Sequence, residues 1–236
     1  MTKYKGKLYL IPAPLGDNPV EEVIPAHVLN TACALKCFVV EELRTARRFL
    51  SKYGLKGHID EIDFHELNEH TGQDDVRALL ELFADADVGL MSEAGLPAVA
   101  DPGARLVELC HENDIEVVPM VGPSSLMMAL MGSGLNGQYF EFCGYIPAKP
   151  EQRRQALKTL EKQSRAAHRS EIIIETPYRN DSMLADMLEV LSPDTRICIA
   201  ADISLETQFI RTRKVSEWRK SPMTIGKRPC VFIILA

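Results

Sequence analysis

Several features that would quickly assign the chain to another class of protein are missing from its 236 residues. It has no run of about 18 apolar residues, the length that a membrane-spanning helix needs. Its first residues lead directly into a predicted strand at Leu8–Pro12, without the apolar segment of a secretory signal. Repeats and low-complexity segments are also missing. We therefore expect a soluble, cytoplasmic, globular protein with no membrane partner.

Paired cysteines and zinc motifs are missing too. The six cysteines are scattered, none forms a Cys-x-x-Cys pair, and most fall inside apolar runs, which predicts buried free thiols. His65 and His70 enclose an acidic segment but are five residues apart, not four. They would not share one face of a helix as zinc ligands do. We predict no metal site.

A glycine motif is present, but in the wrong context. Gly132–Gly137 satisfies Gly-x-Gly-x-x-Gly, yet it follows a helical run and precedes a strand. A dinucleotide-binding loop has the opposite order, because it follows a strand and opens a helix. The segment therefore predicts a helix end and a turn.

Hydrophobic periodicity indicates an α/β protein. The predicted strands are Leu8–Pro12, Cys37–Glu41, Val88–Met91, Glu116–Met120, Phe140–Tyr145, Glu171–Glu175, Arg196–Ala201, Gln208–Arg213 and Cys230–Leu235. The predicted helices are Val20–Leu35, Thr45–Tyr53, Asp74–Ala84, Arg105–Asn113, Ser124–Met131, Glu151–Ala167, Asn180–Leu191 and Val215–Lys220.

The order of these elements predicts two α/β domains, residues 1–121 and 122–236. Strands and helices alternate as far as about residue 135, which favours a mostly parallel sheet with helices on both faces. After residue 196, three predicted strands accompany one short helix, which favours antiparallel strands. We expect the second domain to contain a mixed sheet.

Charge is divided unevenly along the chain. Residues 1–148 hold 11 Lys and Arg against 22 Asp and Glu, whereas residues 149–236 hold 16 against 11. The basic half suggests a polyanionic partner, and a solvated helix face would explain it equally well. Seven cations fall in one segment, namely Lys149, Arg153, Arg154, Lys158, Lys162, Arg165 and Arg169.

Three loops follow predicted strands and are rich in proline and glycine. They are Pro12–Asp17, Ser92–Gly103 and Val121–Ser125. Proline fixes φ and glycine opens unusual backbone conformations, so such loops are shaped and leave backbone groups free for a ligand. In an open α/β sheet the ligand binds at the carboxyl ends of the strands. Together the loops predict a binding site.

Glu41 and Glu42 end another strand at the same predicted edge. Arg44, Arg47 and Arg48 follow, so the group could form a salt-bridged surface turn or a charged edge that faces substrate. We keep both interpretations.

The segments Leu8–Asp17, Glu41–Arg44, Ser92–Gly103, Val118–Ser125, Gly144–Lys149 and Glu175–Arg179 occur in an order that resembles the tetrapyrrole methylase superfamily. Within it, the Ala-Gly-x-Pro-x-x-x-Asp-Pro-Gly pattern most resembles the ribosomal RNA small-subunit 2′-O-methyltransferase I branch. The resemblance implies a homodimer that binds S-adenosylmethionine in a cleft between the two domains and methylates RNA without a metal.

The resemblance also implies which residues bind this cofactor. They are Pro14, Leu15, Gly16, Gly95, Leu96, Val99, Ser124, Ser125, Thr176 and Ala201. Ser124 and Ser125 open a predicted helix, whose N-terminus suits a carboxylate. Glu41, Glu42 and Arg44 are the candidates for handling the proton and the developing charge of a ribose hydroxyl.

The chain departs from the branch at three places that we expect to face substrate. Glu42 and Leu43 stand where the branch reads Asp-Thr, Glu93 and Leu96 stand where it reads Asp and Thr, and Leu67 replaces a histidine. Two other functions therefore stay open. One is methylation of a small tetrapyrrole-like molecule, and the other is a non-catalytic paralogue that binds cofactor or RNA.

Overall fold

A computed structural model describes residues 3–221 and 223–236. The chain divides into two compact units, Met1–Ser124 and Ser125–Ala236. The sequence placed the boundary between residues 121 and 122, and its exact position stays a prediction.

The first unit contains a five-stranded sheet. Its strands are β1 (Leu8–Leu10), β2 (Cys37–Val40), β3 (Asp63–Glu66), β4 (Val88–Met91) and β5 (Val117–Pro119). They lie in the order β3-β2-β4-β1-β5, and every pairing is parallel. This confirms the predicted parallel sheet.

Strand β3 is not among the strands predicted from the sequence. Three of its four residues are polar, and it pairs with one neighbour only, at the edge of the sheet. With Phe64 as its single apolar residue, β3 has no apolar run or alternation that a periodicity search could find, and its edge position tolerates this polar composition.

Helices cover both faces of this sheet. They are α1 (Val20–Val23), α2 (Ala26–Ala34), α3 (Leu43–Leu50), α4 (Gln73–Ala78) and α5 (Ala104–Glu112). Residues of β2 alternate between two cores, because Phe38 and Val40 pack with α2 and α3, whereas Cys37 and Val39 pack with α4 and α5. The predicted helices on both faces are confirmed.

Proline and glycine modify two of the predicted helices. The single helix predicted over Val20–Leu35 is wrong, since it stops at Val23 and restarts after Pro25, which has no N–H to donate. After α3 the chain continues as a wide turn over Ser51–Leu55, where Gly54 has a φ of 125°. A 3₁₀ segment, Leu79–Ala84, continues α4.

The second unit contains a mixed sheet. Its strands are β6 (Phe140–Tyr145), β7 (Ser170–Glu175), β8 (Arg196–Ala201), β9 (Phe209–Lys214) and β10 (Cys230–Leu235), in the order β6-β7-β10-β8-β9. Only β6 and β7 pair in parallel, whereas β10 is antiparallel to β7 and β8, and β8 is antiparallel to β9. The predicted mixed sheet is confirmed.

Four helices pack on the second sheet. They are α6 (Ser125–Ser133), α7 (Pro150–Ala167), α8 (Asn180–Val190) and α9 (Val215–Lys220). Leu157, Met183 and Trp218 bring the last three helices onto one face. On the opposite face, Thr212 of β9 donates a hydrogen bond to the Ser133 carbonyl of α6 (2.6 Å).

The structure also bears on the glycine motif, the cysteines and the search for membrane-spanning helices. Helix α6 ends at Ser133 and Gly134 follows with a φ of 66°, so the glycine motif is a helix end, as predicted. All six cysteines are free thiols, and four of them are buried. Among the described residues, no helix has the length and apolarity needed to cross a membrane.

Candidate active site

The sheet of the first unit changes winding direction between β1 and β4. These strands are neighbours, but the helices that follow them cover opposite faces: Val28 of α2 packs in one core and Leu106 of α5 in the other. In open α/β sheets such a switch point forms a crevice at the carboxyl ends of the strands, where ligands bind.

The three proline- and glycine-rich loops meet at this point. Ala13 and Gly95 form a backbone bridge, with N–H to carbonyl distances of 2.8 and 3.0 Å. Gly122 approaches so closely that an added Cβ would lie 2.2 Å from Pro12 Cβ. The buried Tyr53 hydroxyl donates a hydrogen bond to the Pro12 carbonyl (2.7 Å) and so fixes the first loop. The sequence predicted a shared location for these loops, and the contacts among them agree.

Gly95 in the second loop lies close to both of the other loops. Its φ is 72°, and an added Cβ would lie 3.3 Å from Leu15 Cδ2 and 3.6 Å from the Pro123 carbonyl. A side chain here would be strained by its backbone conformation and would push into the neighbouring loops.

The loop around Gly95 has two features typical of a ligand site. Ala98 and Ala100 have φ values of 65° and 63°, which cost free energy for residues other than glycine and often mark functional loops. Val99 is 44% exposed although it is apolar, and a ligand that covers it would bury this surface. The buried Ser92 hydroxyl interacts with the Asp101 carboxyl and opposes the rise in the pKa of that group.

The predicted cofactor residues fall into two groups. The first group lies on the two bridged loops of the first unit and contains Pro14, Leu15, Gly16, Gly95, Leu96 and Val99. Ser124 is the last residue of that unit. In the second unit, Ser125 begins α6, Thr176 follows β7, and Ala201 ends β8. Since β7 and β8 are both antiparallel to β10, Thr176 and Ala201 lie at the same end of the second sheet. The use of both groups by one ligand stays a prediction.

A cluster of carboxylates lies beside the Ser92–Gly103 loop. Glu41 accepts a hydrogen bond from the Glu93 backbone N–H (3.1 Å), and burial raises the pKa of Glu41, helped by the charge of Glu93. Burial, with the charge of Glu41, raises the pKa of Asp101 to about 6. A carboxylate whose pKa is raised accepts a proton more readily than an ordinary one.

Asp101 and Ser92 were not among the predicted site residues. Both belong to the loop that the sequence singled out, but a local pattern does not distinguish the half-buried carboxylate of Asp101 from an exposed one. Its environment depends on Glu41, which comes from a distant part of the chain.

Glu42 has a structural task. Its carboxylate caps α3 by accepting the N–H groups of Arg44 (3.1 Å) and Thr45 (2.6 Å), and these bonds lower its pKa. A carboxylate so stabilised in its charged form is a poor proton acceptor. Among the described residues no ion pair joins Glu41 or Glu42 to the arginines that follow, so a salt-bridged turn is not what forms.

Arg44 lines an open cavity of about 480 Å³ at the ends of β2 and β3. The lining residues are Glu42, Leu43, Arg44, Arg47 and Glu66. Arg47 forms an ion pair with Asp60, whereas Arg44 is exposed and has no ion pair within the described residues. Arg44 therefore offers an anionic ligand a positive charge that is not tied up in an ion pair, although Glu42 and Glu66 line the same cavity.

The three departures from the branch pattern have different surroundings. Leu43 lines the cavity and Leu96 is half-buried on the Gly95 loop. Leu67 is buried in the core with Val76 and Leu80, so the expectation that it faces substrate is wrong. The leucine that stands here in place of a histidine therefore changes the packing of the core.

One set of side chains could hold a metal ion. Cys37, Asp63 and His65 place one ligand atom each within 4.8 Å of one another, whereas His70 belongs to a turn outside the set. Asp63 already pairs with His65 (2.9 Å), and burial raises the pKa of Cys37 to about 11. The thiol is therefore protonated at neutral pH, which disfavours a metal.

The basic segment of α7 is largely neutralised. Buried Arg153 pairs with Asp186 (2.5 Å), and Arg154 pairs with Asp186 (2.7 Å) and Glu189 (3.0 Å). Arg165 and Arg169 also have acidic partners. The interpretation of Arg153 as a contact for a polyanion is wrong. Lys149, Lys158 and Lys162 are exposed and form no ion pair within the described part of the chain.

Comparison with known proteins assigns the class. Residues 7–218 match the family Tetrapyrrole (Corrin/Porphyrin) Methylases, and the chain belongs to this family. It is an S-adenosylmethionine-dependent methyltransferase.

Curated relatives narrow the comparison. The chain is 34% identical to ribosomal RNA small subunit methyltransferase I of Thermotoga maritima, over 90% of each chain. It is 30% identical to the Escherichia coli O157:H7 protein of the same name, over 98% of this chain and 78% of the relative. Among solved structures, uroporphyrin-III C-methyl transferase from Thermus thermophilus, complexed with S-adenyl homocysteine, shares the fold. Its TM-score is 0.57 at 15% identity, covering 98% of this chain and 97% of that one.

Proposed function

We propose that this methyltransferase transfers a methyl group to a ribose 2′-hydroxyl of small-subunit ribosomal RNA. The relatives named ribosomal RNA small subunit methyltransferase I support the choice of RNA as the substrate. The observation that carries the proposal is Arg44, a cation without an ion pair in the described residues, which lines an open cavity beside carboxylates of raised pKa. The Arg44 cation is suited to bind an RNA phosphate, and the carboxylates are suited to accept the proton of the ribose hydroxyl.

The first unit offers S-adenosylmethionine suitable partners. Gly95 keeps the bridged loops free of a side chain at their closest approach, and Val99 presents an exposed apolar surface. We propose that Pro14–Gly16 and Gly95–Val99 flank the cofactor. Ser124, Ser125, Thr176 and Ala201 complete its site in this proposal.

The bound cofactor supplies an activated methyl group, so the chain has three remaining tasks. It must orient the acceptor hydroxyl, exclude water, and accept the hydroxyl proton. Orientation of reacting groups can lower a barrier by roughly 7–11 kcal/mol. We assign orientation to Arg44, which holds a phosphate or the developing alkoxide. Glu41 lies next to the bridged loops and is the better proton acceptor of the two predicted glutamates, because Glu42 caps α3.

The second unit supports RNA binding and self-association. Lys149, Lys158 and Lys162 provide exposed positive charge for the RNA backbone. Met131 and Phe140 are apolar and exposed, and β6 lies at an edge of its sheet. Exposed apolar side chains along an open edge favour association, and we propose a homodimer in the cytoplasm, where ribosomes are found.

Methyl transfer in vitro and in cells tests the proposal. Purified protein with radiolabelled S-adenosylmethionine should label the RNA of small ribosomal subunits from cells that lack this protein. The modification should map to a ribose 2′-oxygen, and the same site should be unmethylated in those cells.

Two results would redirect the assignment. Labelling of a tetrapyrrole instead of RNA would favour the small-molecule function. Exposed cations would also attract the carboxylates of such a molecule. Cofactor binding without transfer to either acceptor would indicate a non-catalytic paralogue.

A further inference from the structure

One end of the second sheet presents aromatic rings beside cations. Tyr145 ends β6 and is 59% exposed, and Tyr178 follows β7 and is 71% exposed. The strands pair in parallel, with Tyr145 opposite Ile174, so both tyrosines lie at the same end.

Arg179 lies beside one of these rings. Its guanidinium is 5.7 Å from the centre of the Tyr178 ring. Glu175 is buried and fixes Arg179 through two hydrogen bonds to one carboxylate oxygen (2.8 and 2.6 Å). The Glu175 carboxylate also raises the pKa of Arg179, with smaller contributions from Tyr178 and Tyr145. The guanidinium is therefore held in place beside the Tyr178 ring before any ligand arrives.

We propose that Tyr145 at the end of β6, with Tyr178 and Arg179 after β7, forms a platform on which an unpaired base of the RNA substrate stacks. This inference rests on the proposed function, since it names the part of the RNA that the second unit recognises. The aromatic faces supply stacking, Arg179 adds a cation over the ring system, and exposed Lys149 near the end of β6 is available for an adjacent phosphate. Sequence-specific RNA-binding proteins commonly stack splayed bases in this way.

The chain contains a matched control at the opposite end of the same sheet. Tyr139 precedes β6, is 50% exposed, and has the Arg169 guanidinium 5.8 Å from its ring centre. It reproduces the ring, the exposure and the neighbouring cation of Tyr178. It differs in position, because it lies where β6 begins and not where it ends.

Fluorescence anisotropy with a short, unstructured, fluorescein-labelled oligoribonucleotide tests the platform. Tyr178→Ala should weaken binding about tenfold, because stacking on one aromatic ring is worth that much per base. Tyr178→Phe should bind within about twofold of the wild type, and Tyr139→Ala should bind like the wild type. The salt dependence of binding should be the same in Tyr178→Ala, since no phosphate contact is lost.

Three results would overturn the platform. Unchanged affinity in Tyr178→Ala, or an equal loss in Tyr139→Ala, would show that this end of the sheet is not special. A dimer that dissociates in Tyr178→Ala, measured by sedimentation, would make the ring a subunit contact. If small subunits are methylated but Tyr178→Ala binds normally, only the platform fails. If the wild type neither binds nor methylates RNA, the proposed function fails as well.

Discussion

At the scale of single residues, Gly95 is the position at which a substitution most directly tests the proposed cofactor site. Gly95→Trp should weaken binding of S-adenosylhomocysteine by roughly tenfold to a hundredfold, because overpacking a tight position costs about 1–3 kcal/mol. Isothermal titration calorimetry measures the affinity. Gly57 has a φ of 88° and no atom within 4 Å of an added Cβ, so Gly57→Trp carries a similar backbone strain in open space. Equal affinity in both variants would remove Gly95 from the site.

Arg44 is expected to act on the acceptor and not on the cofactor. Arg44→Ala should slow methyl transfer about a hundredfold to a thousandfold, the usual effect of removing one preorganised electrostatic contact to a developing charge. Cofactor affinity should stay close to that of the wild type. Arg48 is exposed on the same helix but does not line the cavity, so Arg48→Ala is the control. A loss confined to cofactor binding would contradict this role.

Asp101 should make stability depend on pH. Its folded pKa, about 6, lies above the ordinary value of 3.8. Its contribution to stability is therefore full below pH 3.8 and is lost as pH rises through 6. Asp101→Asn removes this penalty and should raise the free energy of unfolding at pH 7.5 by about 1 to 2 kcal/mol, after allowance for solvent screening, and change it little near pH 4. Urea denaturation at both values checks it, and a destabilised variant at pH 7.5 would refute the burial argument.

At the scale of elements, the pairing of α7 with α8 depends on a buried ion pair. Arg153 and Asp186 are each 4% exposed. Arg153→Met should lower the free energy of unfolding by about 3 kcal/mol, because it leaves Asp186 buried with Arg154 as its remaining partner. Arg165→Met removes an exposed partner of Glu161 and should cost less than about 1 kcal/mol. Similar melting curves for the two variants would contradict the distinction.

At the scale of the whole molecule, the uneven distribution of charge predicts how RNA binding responds to salt. Lys158 and Lys162 are four residues apart on one face of α7 and carry no described ion pair. Replacing both with Glu should weaken RNA binding and reduce the slope of log affinity against log salt by about 1.4, the value for two contacts to a single strand. Lys56→Glu, an exposed change in the acidic half, should leave the slope unaltered. An unaltered slope in the double variant would make this face of α7 merely solvated.

The sequence alone was sufficient to predict the class of fold and to locate the three proline- and glycine-rich loops. Buried strands are apolar runs, and amphipathic helices show their period, so nearly all elements could be predicted within a few residues. Proline- and glycine-rich loops are visible because their residue types are required by unusual backbone conformations, as at Gly95. The family resemblance rested on these same segments.

Tertiary structure decided what each polar side chain does. Arg153 and Lys158 look equivalent in the sequence, yet one is buried against Asp186 and the other is exposed. Glu41 and Glu42 are adjacent, yet one is half-buried among carboxylates and the other caps a helix. Burial and partners come from residues distant in the chain, and a local pattern contains no record of them. The energies that set a pKa or an ion pair depend on those distant neighbours, so the roles of Asp101 and Arg153 were fixed only by the fold.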